Sequence, residues 1–512
     1  MKKIGNISLG IGVLMAAMTG CQSAEEPQSP NLVYVFPDQM RKQAMEFWET
    51  PEYEGAIRTK GDPVKTPNLN KFAQESVIFT NMVSNSPLCT PHRGSLFTGL
   101  YPGSSGAPLN CNSNRPVSSL RTDVVGFTDV ISQAGYETAY IGKWHLDFPT
   151  PNDPANPGHY VDPRTPAWDT YTPPERRHGI DYWYAYNTWD VHLDPHYYDT
   201  DGNRFDPRMY SPQHEADKAI EYLQNKDGQR DPDKPFALFV SMNPPHSPYS
   251  SLDDCLEKDY NIYKDIPIEN LLHRPNVDHS MAKTASAPYY FANVTGVDRE
   301  FGRIVQQLKE MGEYENTIIV FTSDHGETMC SQGVTDPKNS IYSESMDVPF
   351  LIRWPELNEA RTDNLIMSTP DIMPTILSMM GLEKLLPDNL HGFDYSEQII
   401  SEKEDNRPES ALYIRNLDGE VNEAGKVISY FPEARGIKTH HFSLELVIDR
   451  NHNLVTTRFF NDNQDPYQMN NMPVDWNDEQ VKGLLKEMAF WLKHSDDLWY
   501  KKNILSDLIP YN

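Results

Sequence analysis

Short apolar runs alternate with amphipathic stretches along most of this chain. Residues 31–36 (NLVYVF), 138–141 (TAYI), 236–242 (FALFVSM) and 317–322 (TIIVFT) are continuous apolar runs of strand length, the pattern of strands covered on both faces. Residues 66–80 read as a helix followed by a strand: Leu69, Phe72 and Ala73 share a helical face, and 77–79 is rich in β-formers. Amphipathic helices are predicted around 216–223 and over 298–311, where Phe301, Ile304, Val305 and Leu308 line one face. Strands alternating with helices predict the α/β class, with a large, mostly parallel sheet flanked by helices on both faces.

Two stretches break the alternation. Residues 150–215 are rich in Pro, Tyr, Trp, Asp and His with little periodicity, which predicts a long loop insertion. After about residue 400, four runs at 411–414, 436–439, 442–448 and 454–460 read as antiparallel strands. Val481, Leu484, Leu485, Met488 and Leu492 then make an amphipathic terminal helix. The expected organisation is a main domain over 30–400 and a smaller C-terminal α+β subdomain, with an antiparallel sheet, over 401–512.

Residues 1–20 stand apart. Lys2 and Lys3 precede an apolar stretch, 7–18, that is too short to span a bilayer. With Thr19 and Gly20 just before Cys21, the segment resembles a bacterial lipoprotein signal. That resemblance implies a lipid on Cys21, a polar tether over 21–29, and lipid anchoring in the bacterial cell envelope, at the outer membrane. The protein would face either the periplasm or the cell surface.

Composition narrows the function. The 27 Tyr, 20 Phe and 9 Trp among 512 residues exclude global disorder. Forty-five Lys+Arg against 73 Asp+Glu give a net charge of −28, the wrong sign for a nucleic-acid partner. Of the other cysteines, Cys89, Cys111, Cys255 and Cys330, none forms a C-x-x-C pair. Whether Cys111, Cys255 and Cys330 form a disulfide is open at this level.

The chemistry collects where the apolar runs end. The first run leads into Asp38 and Gln39, and the second into Gly142-Lys143-Trp144-His145. The third leads into Asn243-Pro244-Pro245-His246, and the fourth into Ser323-Asp324-His325-Gly326. Ligands of open α/β sheets bind outside the carboxyl ends of the strands, so these residues are expected to converge. Carboxylate, amide and imidazole groups together suit a divalent cation, and lysines and histidines beside them suit an oxyanion.

A fifth element, Cys89-Thr90-Pro91-His92-Arg93 followed by Thr98-Gly99, resembles the signature of the formylglycine-dependent sulfatase family, within the alkaline-phosphatase-like superfamily. Thr66-Pro67-Asn68-Leu69, Pro245-His246 and Asp465-Pro466-Tyr467 extend the resemblance over about residues 30–475. It implies that a maturation enzyme oxidises Cys89 to formylglycine, whose hydrate attacks sulfur. It implies one Ca²⁺ held by Asp38, Gln39, Asp324, His325 and the modified Cys89. Arg93 would support that centre, and Lys143 and Lys338 would bind sulfate. His246 would protonate the departing sugar oxygen, and His145 would take a proton from the hydrate. Gln39 stands where many relatives have a second Asp, and Gln332 lies where some have a His.

Residues 182–198 (YWYAYNTWDVHLDPHYY) carry aromatic rings with Asp190 and His192, a composition that suits a saccharide. Arg415 and His440 or His441 are further candidates for that cleft. The expected substrate is a sulfated saccharide, with sulfated galactose or N-acetylgalactosamine of host or algal glycans the specific expectation. Two alternatives stand beside it: a phosphonate or phosphate monoester hydrolase of the same superfamily, and a non-catalytic glycan-binding lipoprotein.

Overall fold

The computed structural model describes residues 29–111, 118–147, 169–354, 356–357, 359–421 and 427–511. The leader, Cys21 and nearly all of the tether lie outside the described residues, as do residues 148–168, which include the first part of the predicted insertion. Ten strands form one sheet: β1 (Asn31–Val35), β2 (Val77–Val83), β3 (Glu137–Lys143), β4 (Tyr182–Tyr186), β5 (Tyr197–Asp199), β6 (Arg204–Phe205), β7 (Phe236–Ser241), β8 (Thr317–Thr322), β9 (Phe350–Arg353) and β10 (Arg361–Ser368). Their order is β10-β2-β9-β8-β1-β7-β3-β4-β5-β6. The central block β8-β1-β7-β3-β4 is parallel throughout. The margins are mixed: β9 runs antiparallel to β2 and β8, and β5 and β6 turn back along the other edge.

The parallel block explains the continuous apolar runs. Successive side chains of β1 point to opposite faces, and both faces are core. Leu32 and Tyr34 pack with Phe239, Val320 and Ile376 on one side, while Val33 and Val35 pack with Leu238, Phe301 and Phe321 on the other. The flanking helices are α1 (Pro67–Ala73), α2 (Cys89–Thr98), α3 (Ser211–Leu223), α4 (Ala287–Met311) and α5 (Thr369–Met379). Helix α4 starts well before the predicted residue 298, because the aromatics and Gly296 of its first half obscure the helical period.

Register sets the site. Val35 pairs with Val240 and with Phe321, and Gly142 pairs with Ser241. The four strands therefore finish level, and the residues that follow them meet at one edge. Gly142 has φ of +101°, and a Cβ there would lie 2.1 Å from the Ser241 carbonyl oxygen. We expect Gly142→Ala to cost about 2–4 kcal/mol from strain and backbone overlap together, measurable by chemical denaturation. Lys143 would shift with it.

The C-terminal region has β11 (Ser410–Arg415), β12 (Asp418–Val421), β13 (Val427–Phe431), β14 (Glu433–Thr439), β15 (Phe442–Ile448) and β16 (Leu454–Asn461). β11-β14-β15-β16 form an antiparallel sheet and β12-β13 a separate ribbon. Helix α6 (Glu479–His494) starts at Asp478, which accepts hydrogen bonds from the amides of Gln480 and Val481. Val481, Leu484, Leu485, Met488 and Leu492 then pack on Leu412, Ile437, Leu444 and Leu446. Part of the aromatic insertion is not loop: YWYAY is strand β4, and Tyr184 stacks on Tyr197 of β5 at 5.0 Å. Cys89, Cys111, Cys255 and Cys330 are all free and buried. No helix among the described residues is long and apolar enough to cross a membrane.

Candidate active site

Cys89 is the first residue of α2, a helix buried over its whole length. Pro91 falls in the first turn, where its missing N–H leaves no intrahelical bond unmade. Arg93, four residues on, shares a helical face with Cys89, which is the physical content of the Cys-x-Pro-x-Arg spacing. Its guanidinium is fully buried. Nη2 lies 3.1 Å from Asp38 Oδ2 and 3.2 Å from Asp324 Oδ2, while Nη1 donates to the Lys143 carbonyl (2.6 Å) and Ser241 Oγ (2.8 Å). One side chain thus ties four strand ends to the helix that presents Cys89.

Around the thiol, Asp38, Cys89, Asp324 and His325 bring one ligand atom each to within 4.8 Å of one another, all buried. Sγ occupies the position that the resemblance gives to the formylglycine oxygen and lies 3.6 Å from Asp38 Oδ1 and 3.3 Å from His325 Nε2. His325 Nδ1 faces the Gly326 carbonyl at 2.9 Å, which leaves Nε2 as the metal-facing nitrogen. Two carboxylates, an imidazole and a central anionic oxygen fit a divalent cation. Gln39 Oε1, 3.0 Å from Lys338 Nζ, adds an amide oxygen at the same centre. Gln39 itself has φ of +64° and donates its amide N–H to Asp324 Oδ1 at 3.0 Å. Strained backbone of this kind is held where the surroundings overdetermine it.

Two ammonium groups flank the centre. Lys143 Nζ lies 2.9 Å from Asp38 Oδ2 and 3.0 Å from Asn243 Oδ1. Lys338 Nζ lies 3.3 Å from Sγ and 2.9 Å from His246 Nε2. The Lys338 loop is pinned to the site. Asn339 N–H donates to the Pro87 carbonyl at 2.8 Å, and Tyr413 OH on β11 donates to the Asn339 carbonyl at 3.1 Å.

Electrostatics follow. Burial alone would raise the Asp38 carboxyl, but Lys143, His246, Arg93 and His325 outweigh it and hold it well below the usual range. Burial, reinforced by Asp38, pushes the Cys89 thiol up to about 11. An unmodified Cys89 is therefore a neutral and poor nucleophile at pH 7. Burial, then Lys143, holds both His145 and His246 well below the ordinary imidazole value. Burial opposes the charge on Lys338, but the negative groups beside it prevail and keep it cationic.

Asp190 reaches the site from the aromatic segment. It lies 3.9 Å from Lys143 Nζ and 3.5 Å from His246 Nδ1, and accepts from Asn243 Nδ2 at 3.2 Å. His192 is buried close by with Nδ1 2.8 Å from the Asp254 carbonyl, and no hydrogen bond or ion pair among the described residues ties it to the cluster. Arg415 approaches the Lys338 loop, with Nη1 3.5 Å from the Asn339 carbonyl. His440 and His441 line a different cavity. Gln332 donates to the Tyr467 carbonyl at 2.9 Å.

Glu327 escaped the sequence reading. It is fully buried, accepts from Gln39 Nε2, from Tyr249 OH at 2.6 Å and from Met329 N–H at 2.8 Å, and pairs with Lys283 Nζ at 3.3 Å. A carboxylate can only accept, so it fixes the Gln39 amide with nitrogen outward and oxygen toward the centre. It also sets one negative charge behind the amide. The signal was present in Ser323-Asp324-His325-Gly326-Glu327, one step past the motif. Glu327→Gln should weaken divalent-cation affinity about 10- to 100-fold, measured by titration calorimetry.

A doubly covered, mainly parallel sheet with a buried nucleophile-bearing helix, a cation-ligand cluster and two flanking ammonium groups defines an ester hydrolase of the alkaline-phosphatase-like class. The chain belongs to the sulfatase family: residues 30–382 match the Sulfatase family, and residues 332–495 match the family described as N-sulphoglucosamine sulphohydrolase, C-terminal. It is thus a sulfuric ester hydrolase. The endo-4-O-sulfatase of Bacteroides thetaiotaomicron is 54% identical over 506 residues, 98% of this chain and 100% of that protein. A structure solved in work on the metabolism of multiple glycosaminoglycans by Bacteroides thetaiotaomicron is 55% identical with a TM-score of 0.90, covering 94% of this chain and 100% of that one. An ulvan-active sulfatase of Formosa agariphila is 33% identical over 88% of this chain and 78% of its own length.

Proposed function

We propose that this protein is an endo-acting 4-O-sulfatase of glycosaminoglycan chains. The observation that carries the reading is the 54% identity to an endo-4-O-sulfatase over nearly the full length of both proteins, joined to the Cys89 cluster described above. The expected sugar remains N-acetylgalactosamine or galactose. The envelope lipoprotein assignment, with lipid on Cys21, belongs to the same proposal.

Cys89 converted to formylglycine would supply the attacking oxygen, and a divalent cation, Ca²⁺ by family expectation, would be held by Asp38, Gln39, Asp324 and His325 and lower the pKa of that oxygen. Lys143 and Lys338 bind sulfate oxygens from two sides and stabilise charge that grows on them. Arg93 neutralises Asp38 and Asp324 and fixes both. His145, kept neutral by its surroundings, accepts a proton at the Cys89 position. His246 Nδ1 faces the Ser247 carbonyl at 2.6 Å, so Nε2 is the nitrogen turned to the reaction. A bound sulfate ester raises that imidazole's proton affinity, which prepares Nε2 to protonate the leaving oxygen.

The test is sulfate release by the matured protein from glycosaminoglycan oligosaccharides sulfated at position 4 or position 6, of several lengths. Release from 4-sulfated units inside a chain supports the reading. Turnover confined to chain ends, to 6-sulfates, or to phosphate or phosphonate monoesters overturns it. Chelation should abolish activity and lower the melting temperature, and Ca²⁺ at 100 times its Kd should return about 2.7 kcal/mol of stability.

A further inference from the structure

A second polar cavity, about 430 Å³, lies between the β2–β10 edge of the main sheet and the turn joining β14 to β15. It shares no lining residue with the Cys89 cluster. Its volume suits one or two sugar units. Lys42 and Lys438, each only 6% exposed, line it together with Arg58 and the buried Asp347.

The charges do not balance locally. Lys42 Nζ lies 2.7 Å from Asp347 Oδ2 and 3.1 Å from the Thr80 carbonyl. Lys438 Nζ meets the other oxygen of the same carboxylate and lies 2.8 Å from Ser343 Oγ. Two buried ammonium groups share one carboxylate, and each retains a third N–H. Asp347 stays ionised: burial would raise its carboxyl, but Lys42 and Lys438 hold it below the usual range. Asp462, also in the wall, is engaged by Ser443 Oγ at 2.7 Å and Gln468 Nε2 at 2.9 Å. Arg58, exposed at the mouth, donates to the His440 carbonyl and has no acidic partner among the described residues. The wall thus carries three cations, Lys42, Arg58 and Lys438, against two carboxylates, Asp347 and Asp462, one positive charge in excess in a chain of net charge −28.

A second observation points to a ligand. Gln43, 1% exposed, lines the cavity, and its Oε1 has no hydrogen-bond partner among the described residues. A buried acceptor left bare is costly. The group that completes this cavity therefore brings both an anion and a hydrogen-bond donor.

We propose that the cavity is a second saccharide-binding site, which takes a sulfated sugar unit with its sulfate on Lys42, Lys438 and Arg58 and a hydroxyl donating to Gln43 Oε1. It holds a polyanionic chain at a distance from the reacting ester. The class of polymer rests on the functional reading above, and the site itself does not.

The experiment is calorimetric titration of the full chain as Cys89→Ala, which blocks turnover, with a sulfated glycosaminoglycan oligosaccharide, its desulfated form, and inorganic sulfate. Two binding events are expected with the sulfated oligosaccharide. Arg58→Ala, at an exposed position that leaves the fold alone, weakens only the second about three- to ten-fold, and Lys438→Met removes it. With Cys89 intact, both variants turn over a short sulfated disaccharide as the parent does. A single binding event, or two events indifferent to Arg58→Ala, overturns the proposal. So does equal affinity for the desulfated chain, or for inorganic sulfate alone. A second event that responds to Arg58→Ala in a protein that releases no sulfate upholds this site and sinks the functional reading, and the reverse pattern does the opposite.

Discussion

Cys89→Ala should lower kcat/KM on a 4-sulfated oligosaccharide by about 10⁴- to 10⁶-fold, the scale on which removing a nucleophile acts. Every flanking group is arranged around this one atom: Sγ is 3.3 Å from Lys338 Nζ, 3.3 Å from His325 Nε2 and 3.6 Å from Asp38 Oδ1. None of these neighbours takes over its role. Lys338 is held cationic, Asp38 is committed to Arg93 and Lys143, and His325 is turned to the metal position. The same substitution should leave the fold in place, because it deletes one small buried atom at the start of a helix anchored elsewhere. His92 Nδ1 sits 3.0 Å from Ser84 Oγ and 3.1 Å from Thr369 Oγ1, and Arg93 keeps its partners at the strand ends. The melting temperature and substrate affinity are therefore expected to stay near the parent values. Stopped catalysis with retained binding separates a lost nucleophile from a collapsed site, and a fully active Cys89→Ala protein would refute the chemistry.

His246→Ala should show a dependence on the leaving group. On a sugar sulfate, whose departing alkoxide is strongly basic, loss of the proton at Nε2 should cost about 10²- to 10⁴-fold in kcat. On an aryl sulfate, whose phenolate departs without a proton, the cost should fall to a few-fold. A plot of log kcat against leaving-group pKa should be steep for the variant and shallow for the parent. Lys338 is the control. Its Nζ touches both His246 Nε2 (2.9 Å) and Sγ (3.3 Å), so its loss penalises both esters. Equal losses on sugar and aryl sulfates for His246→Ala would assign that residue to binding instead.

How much of this was legible in the sequence follows from where each residue lies. The strands ending in Asp38, Lys143, His246 and Asp324 were readable because a doubly covered parallel strand has no polar face, and each run stops where the chemistry starts. Cys89 and Arg93 were readable because Cys-x-Pro-x-Arg followed by Thr-Gly resembles the sulfatase signature, a spacing that the structure shows to be one helical turn. Glu327 was not, because a carboxylate after Gly326 looks like a solvated loop charge until Tyr249 and Lys283 arrive from elsewhere in the fold. His440 and His441 were drawn toward the cleft by their chemistry alone, yet the β14–β15 turn carries them to the other cavity. The short strands β4, β5 and β6 were hidden because aromatic residues suit an edge strand and a packed loop equally well. A sequence pattern reports periodicity along the chain, and these misjudged residues depend on which distant segment comes to cover them.

The burial of Cys89, at 1% exposure, sets a timetable for the cell. If Cys89 is converted to formylglycine as proposed, a catalyst that oxidises this thiol would have no path to it once the sheet has closed, so the modification would belong to the chain before it folds. The topology leaves a window. β1 is hydrogen-bonded to β7 and β8, so the strand that leads into Asp38 has no lasting place until residues up to 322 exist. Lys338 emerges 249 residues after Cys89, which at about 5–20 residues per second is about 10–50 s of synthesis. A fold built from contacts so remote in sequence also closes slowly. Variants that hasten early collapse around α2 would emerge with a larger unmodified fraction, well folded and permanently inert.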